Sequence, residues 1–179
     1  MPRVSWVNSQ HRLVILLAML TVAAFILLMG QPYFTNASKP PRFGEPLLAL
    51  QFARNVQDID WILGDAPSPD REVMRVKQYA DFALIACYTA LALALSLLAA
   101  RKGGWRRVAG LAGGICGVAA GVFDVLKDRA ILHILDVPLR ATTPAMIQAI
   151  RGPSTAKWIL LGVTVVLLAS SLIRVPKTS

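Results

Sequence analysis

Four stretches of the chain are apolar for long enough to cross a bilayer: Leu13 to Gly30, about Tyr79 to Ala100, about Val108 to Leu126, and Trp158 to Ile173. Runs near twenty residues match a hydrocarbon layer of ~30 Å at a helical rise of ~1.5 Å per residue, so each is expected to be a transmembrane helix. Arg3, His11 and Arg12 precede the first run, as they would in a cleaved leader. Its eighteen apolar residues exceed a leader's usual core, and no small-x-small cleavage site follows, so it reads as an anchor.

The pattern between the spans is helical but amphipathic. From Pro46 to Leu63, Leu48, Phe52, Val56, Ile59 and Leu63 recur at steps of three and four, while Gln51, Arg54, Gln57, Asp58 and Asp60 lie mainly on other faces. With Pro46 at its first turn and Gly64 just past its end, this predicts one helix lying on the membrane or capping the bundle. Pro67 and Pro69 then break the chain before a helix capped by Ser68, which is expected to run unbroken into the second span. After the third span, Pro138, Thr143-Pro144 and Gly152-Pro153 punctuate a second polar segment and leave room for a short helix of about Pro144 to Arg151. The expected fold is all-α: a polytopic four-transmembrane-helix bundle forming a single membrane domain over residues 1–179. Its spans are 13–30, 79–100, 108–126 and 158–173, with amphipathic helices in two outer segments, 31–78 and 127–157.

Composition agrees. A chain with 55% apolar and 16% charged residues and a mean hydropathy of +0.55 is too apolar for a water-soluble domain. The net charge of +9 does not point to nucleic acid, because Lys and Arg sit beside apolar runs rather than on one basic face. That placement instead sets the orientation. Arg3 and Arg12, then Arg101, Lys102, Arg106 and Arg107, then Arg174 and Lys177 flank one set of span ends with no acid among them, so both termini are expected in the cytoplasm. Cys87 and Cys116 lie inside apolar runs, where thiols act as small apolar residues.

Polar residues inside the spans carry the candidate chemistry. Gly113, Gly117 and Gly121 make one side-chain-free stripe, expected to pack against another helix. At ~100° per residue Asp124 falls about 20° and Asp128 about 60° from Gly113, so both carboxylates face the bundle. Asp81 opens the second span, with Tyr88 one heptad on and Ala92 and Ser96 near the same stripe; Lys157, Thr164 and Ser171 form a heptad-spaced stripe in the fourth. Asp81, Asp124 and Lys157 all lie near the outer boundary and are expected to meet there, with Tyr88 beneath. Two readings stand side by side: an ion-pair network that pins helix register, or the floor of a polar cavity opening outward.

Other chemistries find no residues. His11 and His133 lie at opposite ends and cannot bracket a haem; no His, Cys or carboxylate set has zinc spacing, and no phosphate-cradling loop or nucleophile elbow occurs. No cofactor or metal is expected.

Leu50-Gln51-Phe52-Ala53, Asp81-Phe82, Asp124-Val125-Leu126-Lys127-Asp128 and Lys157-Trp158 together resemble a group of small, uncharacterised bacterial four-helix inner-membrane proteins, over roughly residues 45–175. In that group the third span closes with Asp-x-x-Glu-Asn; this chain keeps Asp124 but has Lys127 for Glu and Asp128 for Asn. The resemblance implies a bacterial inner membrane and no particular activity. The expected partners are the lipid bilayer, a lipid or small apolar ligand, and a membrane-protein partner or second copy. A non-enzymatic role, binding a lipid or amphiphile in an outward cavity or serving as an accessory subunit, ranks first. A membrane enzyme using Asp81 or Asp124 comes next, and a transport component last.

Overall fold

A computed structural model of the chain describes residues 3–30, 33, 34 and 45–172, with side chains from residue 10 onward. The side chain of Arg3 is not described, and Arg174, Lys177 and Ile173, the last at the end of the expected fourth span, lie outside the described residues. Those described form α1 (Arg3–Met29), α2 (Pro46–Gln51), α3 (Val56–Leu63), α4 (Pro69–Ala100), α5 (Trp105–Leu135), a 3₁₀ turn (Leu139–Ala141) and α6 (Pro144–Leu172), with no strand among them. Helices α1, α4, α5 and α6 are each long and apolar enough to cross a membrane, so the chain is an all-α, four-span membrane bundle. Exposed Ile115, Val122, Ile159 and Val165 suit lipid rather than water.

At ~1.5 Å per residue the three long helices α4, α5 and α6 run ~43–48 Å, well beyond a ~30 Å hydrocarbon layer. The surplus gathers at the end of the bundle where α2 and α3 sit, here the cap end. Leu50, Ile59, Leu63, Met74, Ile131 and Ile134 are fully buried together there. Each contributes ~1.5–3 kcal/mol of burial. The opposite end closes with the short turn between α4 and α5.

Sequence signals explain the helix limits. Ser68 caps α4 by accepting the Arg71 N–H, and Gly64 ends α3 at a φ of 67°. As the sequence predicts, α4 runs unbroken from Pro69 through the second span. Three cations close the far ends of other helices, where carbonyls lack partners. Lys77 donates to the carbonyls of Leu28 and Gly30, both at 2.8 Å, at the end of α1. Arg71 donates to those of Ile134, Leu135 and Val137 at the end of α5. Lys102 reaches Ser171 and Leu172 at the end of α6.

Three expectations need correction. The single helix over Pro46–Leu63 is two, because Asn55 accepts the Asp58 N–H at 2.9 Å and Asp58 accepts the Arg54 N–H at 2.8 Å, starting a new helix at Val56. The break shifts the buried face of α2: Leu47 and Leu50 point inward, whereas Leu48 is exposed. The third span does not end its helix near Leu126; α5 continues to Leu135, with Ile131 and Ile134 buried in the cap core. The short helix at Pro144–Arg151 does not stop at Gly152-Pro153 either. Pro153 lies inside α6, whose long packing against α5 outweighs the lost proline N–H, while Ser154 Oγ donates to the Ile150 carbonyl at 2.7 Å.

Candidate functional site

Close approach of backbones sets the register. A Cβ placed on Gly110, Gly114, Gly117 or Gly121 would fall 2.1–2.6 Å from a side-chain atom of Ala99, Ser96, Ala92 or Thr89, so α5 lies flush against α4 along this whole stripe. Gly117 also faces Thr164 of α6, and Gly113 faces Leu168. Small residues of this kind let membrane helices touch along their backbones.

That register carries the charged residues to one place. From the Gly117–Thr164 meeting point, one heptad along α5 reaches Asp124 and one heptad back along antiparallel α6 reaches Lys157. Their side chains meet, Lys157 Nζ donating to Asp124 Oδ1 at 2.7 Å. On the other flank Tyr88 of α4 donates its hydroxyl to Asp124 Oδ2 at 3.1 Å. The expected Asp81, Tyr88, Asp124 and Lys157 group therefore assembles, and Asp128 joins it.

The centre of the group is a residue that the sequence reading left out. Lys127 Nζ lies 2.7 Å from Asp81 Oδ2, from Asp124 Oδ1 and from Asp128 Oδ1. The ammonium thus sits among three carboxylates from two helices and donates a directed hydrogen bond to Asp81. Lys127 and Asp128 are 0% exposed, and Asp81, Asp124 and Lys157 no more than 6%. Neither oxygen of Asp128 receives a well-directed hydrogen bond, and its close polar contact is the Lys127 ammonium at 2.7 Å.

Oxygens of Asp81, Asp124 and Asp128 lie within 4.8 Å of one another, a spacing that suits a cation. The protein's own Lys127 ammonium fills that place, so the donor set does not fit a resident metal without displacing the lysine. Arranged this way, the group ties α4, α5 and α6 together at one level.

A different feature faces the bilayer. Between α4 and α5 runs a groove of about 580 Å³, with Phe82, Ile85, Ala86 and Leu93 on one wall and Val118, Val122, Val125 and Leu126 on the other. None of the five charged residues lines it. Fold and site together define a multi-pass helical membrane protein with a closed charge cluster at its core and an apolar groove on its flank. Compared with protein-family models, curated proteins and solved structures, the chain matches none.

Proposed function

We propose that the protein is a non-catalytic component of a bacterial inner membrane that holds a lipid or small amphiphile. The observation that carries this reading is the α4–α5 groove, whose walls are apolar along the membrane-spanning stretch and whose floor, Thr89 and Gly121, is set by close backbone packing. The burial of Asp81 and Asp124 supports a structural use of the cluster over acid–base chemistry on a substrate. Entry is sideways from the bilayer rather than through a polar cavity above the cluster.

Lipids that survive purification in mild detergent, measured by mass spectrometry, test the proposal. Ala86→Trp puts an indole into the groove and is expected to strip the retained lipid. Unchanged lipid content in that variant rejects the reading. Cytoplasmic termini are part of the same proposal, supported by the basic residues Arg101, Lys102, Arg106 and Arg107 at the turn between α4 and α5. A C-terminal reporter active only in the periplasm would reverse that orientation.

A further inference from the structure

We propose that the occupant of the α4–α5 groove is an anionic phospholipid, one chain lying along the groove and its phosphate held by Arg129. The proposal rests on the lipid-binding reading above and names the class of lipid.

The groove wall on α5 steps through Val118, Val122 and Leu126, and the next residue on the same face is Arg129, which is exposed. Helical Cα–Cβ bonds lean toward the N-terminus, so the Arg129 side chain starts back over the groove's cap-side end. The wall on α4 ends in the same way: Phe82 and Ala86 share a face with Tyr79, which is 60% exposed. Because Asp81 and Lys127 meet at 2.7 Å, Tyr79 and Arg129, two residues further toward the cap on antiparallel helices, stand level with each other. An aromatic and a cation at one level mark a membrane–water interface.

Lengths agree with one leaflet. Val118 to Arg129 spans ~16 Å of helix, close to half of a ~30 Å hydrocarbon layer. A chain filling the groove therefore leaves its phosphate beside Arg129. Cations elsewhere on this end of α4 and α5 are engaged: Arg71 and Lys77 on helix-end carbonyls, Arg75 on Asp136, Lys127 in the cluster. Arg129 has no carboxylate partner among the described residues. A guanidinium binds phosphate oxygens through two parallel N–H donors, and a basic residue near the surface favours an anionic lipid.

Native mass spectrometry of the full chain, titrated with phosphatidylglycerol and with phosphatidylcholine of identical chains, tests this. Phosphatidylglycerol is expected to bind about fivefold more tightly, the effect of one basic residue at a membrane surface. Arg129→Gln should erase that preference, weakening phosphatidylglycerol more than phosphatidylcholine, whose phosphate Arg129 also meets, with the melting temperature unchanged, and Ala86→Trp should weaken both lipids. Equal binding of the two lipids by the unmodified chain, or a preference that survives Arg129→Gln, overturns the anionic assignment and leaves the groove intact. Failure of Ala86→Trp to weaken either lipid rejects the groove itself, and the assignment with it.

Discussion

Asp81 of α4 and Lys127 of α5 form a 2.7 Å ion pair with both side chains buried, and the same ammonium also lies 2.7 Å from Asp124 and Asp128. Removing one partner of a buried pair leaves an uncompensated charge, which costs ~3–5 kcal/mol. Lys127→Met leaves Asp81 and Asp128 without their ammonium and Asp124 with Lys157 and Tyr88 only, and is expected to destabilise more than any other single change in the cluster. Adding Asp81→Asn should recover part of the loss. Thermal melting in detergent measures both, and a Lys127→Met protein that melts with the wild type would remove the lysine from the centre.

Asp124 and Lys157 allow a cleaner comparison, since Lys157 has one carboxylate partner at 2.7 Å. Asp124→Asn or Lys157→Met alone should each destabilise, and the double variant should lose less than their sum. A coupling above ~0.5 kcal/mol in this cycle is the expected result. Simple additivity would mean that Lys127 alone satisfies Asp124.

The glycines make opposite predictions at different positions. A Cβ at Gly110 would lie 2.1 Å from the Ala99 Cβ, whereas one at Gly162 meets nothing within 4 Å. Gly110→Ala should lower the melting temperature by forcing α4 and α5 apart; Gly162→Ala should be neutral or stabilising, by up to ~1 kcal/mol of helix propensity. Gly117→Leu, against both Ala92 and Thr164, should be the most damaging of the three. Equal melting of the two alanine variants would mean that the helices do not touch along this stripe.

Outside the spans, Asp65 accepts the N–H of Leu139 and that of Ala66, both at 2.8 Å, and these bonds hold its carboxyl below its ordinary value of 3.8. Depressed in the fold, the group stabilises fully above its unfolded pKa, and its contribution disappears as the pH falls through the folded value. The Leu139 amide resonance is therefore expected to stay constant through neutral and mildly acidic pH and to shift only below the usual carboxylate range. Asp65→Asn should abolish that acid shift. A midpoint at or above the ordinary value contradicts the hydrogen bonds.

The four spans were legible because lipid demands runs of about twenty apolar residues, whatever the tertiary contacts. The meeting of Asp81, Asp124 and Lys157 was legible for a related reason: helix direction fixes level, and the glycine face fixes side. Lys127 was missed although the same wheel puts it about 40° from Gly113, nearer than Asp128. In the sequence, its departure from the Asp-x-x-Glu-Asn pattern stands out more than its place on the face. Asn55 and Asp58 carry a capping signature, yet the longer apolar periodicity masked it. Pro153 misled because local breakers lose to a long tertiary interface, and that interface is invisible in sequence.

The cations on the helix ends also say something about the order of assembly. Lys77 reaches back to α1, while Arg71 and Lys102 belong to earlier chain than the helices they close, α5 and α6. The last carbonyls of α1 therefore have no such partner until α4 has followed in the chain. Helices α5 and α6 arrive where their clasps already stand. In chain order, the end of α1 finds its cation on a later helix, whereas the ends of α5 and α6 each find one that precedes them.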